Sequence, residues 1–156
     1  MKKSAEFLVS QSFLRGLSSE HLEILARESM HAQFRAGELI LEEGALANRF
    51  YIILEGHVSI ESNVTDDEPL HIQTIGPSGV LGWSWLFPPY HWHFDARAVT
   101  PVTAVFFYGV RLREMCDDNP ALGYAFMKRI SEVVIHRLQA ARSDLVTLRQ
   151  KSTHAG

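Results

Sequence analysis

Apolar residues alternate with polar ones through the middle of this chain and recur every three to four residues near its end. The first pattern predicts half-buried strands and the second predicts helix. Residues 37–44 read Gly-Glu-Leu-Ile-Leu-Glu-Glu-Gly, a strand held between two glycine turns. Residues 49–56 are β-branched and aromatic and end on Gly56, as a strand and its turn would. Residues 57–61 and 70–75 alternate polar and apolar, with the polar turn 63–69 between them. Residues 93–99 and 102–107 supply two more strands. Many short strands punctuated by glycine predict a sandwich, jelly roll or barrel.

Both ends of the chain read as helix. Residues 10–17 predict a short helix closed by Gly16. Ser18, Ser19 and Glu20 form a start signal, and Leu22, Leu25, Ala26 and Met30 follow at helical spacing. Asp118, Asn119 and Pro120 open the last helix, with no proline after Pro120 and no glycine between Gly123 and Gly156. Val134, Leu138, Ala141, Leu145 and Leu148 then alternate spacings of four and three. That is a narrow coiled-coil seam rather than the broad stripe of a core-packed helix. The expected fold is α+β: a double-stranded β-helix, or jelly-roll-like β-roll, over about 33–108, with N-terminal helices and a long C-terminal helix over about 118–150. Residues 1–156 form one domain in this reading.

Composition narrows the function. The 156 residues suffice for one domain with its own core. A net charge of -3 gives no basic face for nucleic-acid phosphates, so direct DNA binding is not expected. The apolar runs fall short of the ~18 residues of a membrane helix. The N-terminal apolar run is too short for a signal peptide, and the lone Cys116 cannot form an internal disulfide. Cytoplasm is the expected compartment, with no membrane partner and no cofactor.

Residues 37–44, 50–58 (Phe-Tyr-Ile-Ile-Leu-Glu-Gly-His-Val) and 97–100 (Arg-Ala-Val-Thr) resemble the cyclic-nucleotide-binding domain of the catabolite-activator type. The resemblance runs from about residue 10 to 150, with Gly37, Gly44 and Gly56 at the family's turn glycines. It implies a phosphate-binding cassette after a Gly-Glu pair. There a short helix turns its N–H groups to the cyclic phosphate, the glutamate binds the ribose hydroxyl, and an arginine downstream pairs with the phosphate. Here Gly82 matches the glycine, but Trp83 stands at the glutamate position. Counting back from Arg97 puts the arginine position on Trp92, or on His91 or His93 if the loop shifts. Pro88 and Pro89 stiffen the loop and remove two N–H donors.

Strand alternation puts Trp92, Phe94, Ala96 and Ala98 on an inward face, with His91, His93, Asp95 and Arg97 opposite. An indole cannot neutralise a phosphate, although it can stack on a flat ring. Trp83, Trp85, Tyr90 and Trp92 either line a pocket for an apolar or aromatic ligand or fill the pocket and close it. His91 and His93 have the His-x-His spacing that cupin-type jelly rolls use for metal. Asp95 and either His57 or His71 would complete such a set only at unmatched spacings, so the expected role is surface hydrogen bonding. Asp95 and Arg97 read as an exposed ion pair worth ~0–1 kcal/mol. Glu42 with Glu43, and Asp66, Asp67 and Glu68, read as solvated turns. Cys116 reads as a small apolar residue.

The expected function is a non-enzymatic small-ligand sensor. Its candidate ligand-binding residues are Gly82, Trp83, Ser84, Trp85, Tyr90, His91, Trp92 and Arg97, with no metal ligand. Its partners would be an aromatic or apolar small molecule, a second copy through the C-terminal helix, and an output protein. The resemblance implies a helix-turn-helix after the C-terminal helix, and none is expected before Gly156. A cupin-like metal-dependent enzyme and a ligand-free dimerisation module are the alternatives.

Overall fold

The structure is a computed structural model describing residues 11–62 and 69–155. The start of the chain and most of the 63–69 turn therefore lie outside the described residues. A 3-10 turn, Ser12–Leu14, leads into α1, Ser19–Glu28. The Ser18 hydroxyl caps α1 by accepting from the His21 N–H at 3.1 Å. Eight strands follow: β1 Met30–Phe34, β2 Leu39–Leu41, β3 Arg49–Glu55, β4 Val58–Ser62, β5 Leu70–Ile75, β6 Val80–Leu81, β7 Asp95–Ala98 and β8 Val102–Tyr108. Two helices close the described chain, α2 Gly109–Asp118 and α3 Pro120–Ala155.

The strands form two four-stranded antiparallel sheets, ordered β1-β8-β3-β6 and β2-β7-β4-β5. Alternation along β3 and β8 divides the core in two. Tyr51 and Ile53 of β3, with Ala104 and Phe106 of β8, face the second sheet and join Leu41, Val58, Ile60, Ala96 and Ala98 inside the roll. Phe50 and Ile52, with Val105 and Phe107, face the other way and pack against the helices. Both faces of these strands are buried, which explains their nearly continuous apolar sequence.

The helical layer is anchored by rings. Leu122, Phe126 and Ile130 of α3 are buried against the first sheet, along with Leu22 and Leu25 of α1. The Phe126 ring lies 5.7 Å from Phe13, 6.1 Å from Phe50 and 6.4 Å from Trp85 between centroids. Asn119 caps α3 by accepting from the Leu122 N–H at 3.2 Å, and Pro120 follows as the first helical residue. With 36 residues, α3 is about 54 Å long and outruns the roll. Leu138 and Leu145 are each 67% exposed on this single chain.

Four expectations change. Residues 10–17 yield only the 3-10 turn among those described. Met30 opens β1, an edge strand paired with β8, instead of extending α1. The helix α2, absent from the sequence reading, precedes α3, because only Gly109, Leu112 and Met115 are buried and its apolar stripe is thin. The expected strand 93–99 shortens to Asp95–Ala98.

Replacing Phe126 with alanine removes the ring shared by the 3-10 turn, β3 and the cassette. It is expected to lower unfolding free energy by ~3–5 kcal/mol, measured by chemical denaturation, with no change in far-ultraviolet circular dichroism at room temperature.

Candidate functional site

The cassette connects β6 to β7. It begins at Gly82, turns through a 3-10 segment, Ser84–Leu86, and passes the cis Pro88–Pro89 peptide. The β2–β3 loop straps its far end. Gly44 N–H donates to the Trp92 carbonyl at 2.9 Å, Trp92 N–H to the Ala45 carbonyl at 3.0 Å, and Ala47 N–H to the Tyr90 carbonyl at 2.6 Å. These bonds fix where Trp92 enters the roll.

Trp92 points inward and is 6% exposed, as its alternation with Ala96 and Ala98 predicts. Gly82 has φ of +82°, a conformation only glycine adopts without strain. A methyl carbon built on Gly82 would lie 2.6 Å from Cη2 of Trp92 and 3.1 Å from the Arg49 carbonyl oxygen. The indole therefore rests directly on the glycine. Where the resemblance puts an arginine for a phosphate, the chain has an apolar ring packed against Leu41, Tyr51 and Ala96.

Trp83 sits half-buried at the glutamate position, its ring 6.4 Å from Phe94. An arginine from α3 also lies over it. The Arg137 guanidinium lies 4.5 Å from the Trp83 ring centroid and donates to the Val80 carbonyl. Burial away from water pulls the Arg137 pKa down to about 10. The guanidinium remains charged at neutral pH, so the ring and the carbonyl compensate a desolvated cation. From α2, Arg113 does the same at a second aromatic of the loop, Tyr90. It lies 4.3 Å from the Tyr90 centroid and donates to the Trp85 carbonyl. Both arginines escaped the sequence reading. A signal existed for Arg137: it continues the buried stripe Phe126, Ile130 and Val133 at spacings of four, three and four, where an apolar residue would be usual.

Other candidates disperse. Trp85 is fully buried in the helix-side core against Phe50 and Phe126, which removes it from any ligand-accessible wall; its indole N–H has no partner among the described residues. His91 and His93 are exposed, and the His91 backbone bridges to Leu46. Ser84 and His93 line a groove described below. Asp95 is not part of an exposed pair with Arg97. It is 3% exposed and accepts from the Glu43 N–H at 2.7 Å, holding the 42–44 turn to β7. Arg97 instead meets Glu61 Oε1 at 3.3 Å and donates to the Gly37 carbonyl at 2.8 Å.

The cupin-like set is not brought together. The His71 ring nitrogens lie 2.7 Å from the Ser59 hydroxyl and 3.3 Å from the Thr74 hydroxyl. Among the described residues no three His, Cys, Asp or Glu side chains are grouped to hold a metal. Burial raises the Cys116 thiol pKa to about 11, and Asp117 adds to the effect, so the thiol stays protonated at neutral pH.

Between the cassette and α3 runs a groove of about 470 Å³. Trp83, Phe87 and Pro88 form one wall, and Met127, Ile130 and Val134 form the other. Phe87 and Met127 are exposed at its rim.

The cyclic nucleotide-binding domain model matches residues 31–119, and the chain belongs to that family. A CRP-like cAMP-activated global transcriptional regulator from Mycobacterium tuberculosis is 25% identical over 143 residues. That match takes in 92% of this chain and 62% of the relative, so the chain spans under two thirds of the regulator's length. A solved structure from Geobacter metallireducens GS-15, described as a cyclic nucleotide-binding protein, is 33% identical at a TM-score of 0.78. It covers 86% of this chain and 98% of its own. A cyclic nucleotide-binding domain from Methylobacillus flagellatus KT shares the fold, with a TM-score of 0.79 at 15% identity, over 94% of this chain and 82% of its own. Among the described residues no helix is long and apolar enough to cross a membrane.

Substituting Gly82 with alanine combines backbone strain with a collision against Trp92. The expected loss is ~1–3 kcal/mol in a denaturant titration. Trp92→Leu is itself expected to destabilise by emptying part of the core, and the Gly82→Ala loss measured in that background is expected to shrink to the part due to backbone strain.

Proposed function

We propose that this domain is a non-enzymatic sensor of a flat, apolar small molecule that enters the groove between the cassette and α3. The observation that carries this reading is the indole of Trp92 seated on Gly82, inside the roll. A cyclic phosphate there would meet an apolar ring in place of a guanidinium, and Trp83 offers no acceptor to a ribose hydroxyl. The three-residue turn after Gly82 is too short to build a helix dipole that could compensate. The groove is mostly apolar: the Trp83 indole, the exposed Phe87 ring and aliphatic side chains of α3 line it, with Ser84, His93 and Ser131 as its polar members. A planar apolar molecule could stack there at little desolvation cost.

Arg137 gives the site a route outward. It bonds β6 and stacks on Trp83 from the middle of α3. A ligand that shifts Trp83 alters part of the compensation of a half-buried cation and so biases the position of α3. An output protein would read that position.

The test is a thermal-shift and calorimetric panel holding cyclic AMP, cyclic GMP and flat aromatic metabolites such as indole and quinoline derivatives. Both cyclic nucleotides are expected to bind no tighter than ~1 mM, since losing a charge-assisted phosphate contact costs ~1.5–3 kcal/mol and the unpaired phosphate costs more. A flat aromatic hit is expected to lose at least tenfold in affinity in Trp83→Ala. Micromolar binding of either cyclic nucleotide overturns the reading, as does a hit indifferent to Trp83→Ala.

The exposed seam on α3 supports a parallel homodimer over residues 127–148. Leu138, Leu145 and Leu148 are exposed on the single chain, and Leu145 and Leu148 lie about two and three turns past Arg137, which still touches the roll. Each leucine buried between helices contributes ~1.5–3 kcal/mol against the entropy of association. The wild-type chain is expected to be dimeric in light scattering at micromolar concentration. Leu138→Glu combined with Leu145→Glu is expected to be a folded monomer. A monomeric wild-type chain would refute the seam.

A further inference from the structure

We propose that the mouth of the roll at Arg49 is a second binding site, taking an organic monocarboxylate with a compact apolar body. The site lies apart from the groove on α3. It is a cavity of about 420 Å³ between β2 and β3, walled by Leu41, Leu46 and Trp92, with Arg49 and Tyr51 on its other side.

Arg49 is held there by its neighbours. As the first residue of β3 it shares the inward face with Tyr51. Its guanidinium lies 4.4 Å from the Phe106 ring centroid and 5.7 Å from that of Tyr108. Those contacts engage the π faces of the rings. The edge carries five N–H donors, of which one donates to the Tyr51 hydroxyl at 3.4 Å. Arg49 forms no ion pair among the described residues. The result is a positioned, half-buried cation with donors to spare, facing an apolar wall.

This chemistry favours a carboxylate over a phosphate. A planar fork fits a planar carboxylate with two parallel hydrogen bonds. One guanidinium compensates one negative charge, and beside it the lining is mixed: Leu41, Leu46 and the Trp92 indole offer apolar surface, and Asn48 and the Tyr51 hydroxyl offer polar atoms. Leu46 is 59% exposed at the rim, where an apolar ligand body would cover it. Glu42 also lines the cavity, but it is exposed and its charge is screened by solvent.

The probe is phenylacetate, titrated by calorimetry, with phenylacetamide as the uncharged isostere and inorganic phosphate as the bare anion. Phenylacetate is expected to bind with Kd at or below ~1 mM, and the amide at least ~10-fold more weakly, the usual scale of a charge-assisted pair. Phosphate is expected not to compete. Arg49→Met should abolish the difference between acid and amide, Arg49→Lys should keep part of it, and the groove substitution Phe87→Ala should leave it unchanged. Circular dichroism checks the fold of each variant; should Arg49→Met fail to fold, the wild-type acid–amide comparison and Arg49→Lys decide. No phenylacetate binding up to ~10 mM overturns the proposal. So does equal affinity for acid and amide, competition by phosphate, or sensitivity to Phe87→Ala in place of Arg49.

Discussion

The contact between the Trp92 indole and Gly82 decides what this roll can hold. Glycine at φ +82° lets the ring approach the backbone to a distance at which no Cβ would fit. The ring then belongs to the interior, packed among Leu41, Tyr51 and Ala96. A buried aromatic ring of this size is strongly stabilising, and vacating its place would expose its neighbours to water. A polar ligand entering there would have to displace part of the core. The site therefore has reason to move outward, to the faces of the cassette that the core leaves open.

The two arginines on the helices matter for the same reason. A cassette built for an anion carries its charge inside the roll. This one receives its cations from outside, Arg113 from α2 and Arg137 from α3. Each lies against an aromatic ring of the cassette and donates to a backbone carbonyl at or beside it. The arrangement ties loop conformation to helix position, because a half-buried guanidinium that loses its ring and carbonyl without regaining water is costly. The coupling is local chemistry and requires no long relay of packed side chains.

Much of the fold was legible because strong patterns have strong physical causes. Residues 49–56 and 102–107 read as strands since β3 and β8 are buried on both faces. Asn119 and Pro120 marked the start of α3 through capping chemistry. The missed elements are those with little pattern to read: β1 is a mostly exposed sheet edge, β6 is buried but only two residues long, and α2 has a thin apolar stripe. The site was half legible. Alternation placed Trp92 inward, yet it also turned Asp95 toward solvent. A buried carboxylate bound to the Glu43 N–H is a long-range fact, 52 residues apart, that no local pattern carries.

Arg49 shows the same limit from the other side. In sequence it is only the polar first residue of an apolar strand. Its position acquires meaning only once β8 brings Phe106 and Tyr108 beside it and β2 closes the opposite wall. The rings fix the cation without neutralising it, since a quadrupole attracts charge but supplies no counter-charge. A guanidinium paired with a carboxylate would be satisfied and inert. One held by rings keeps its hydrogen-bonding edge available, and that availability distinguishes a recognition element from a structural ion pair such as Arg97 with Glu61.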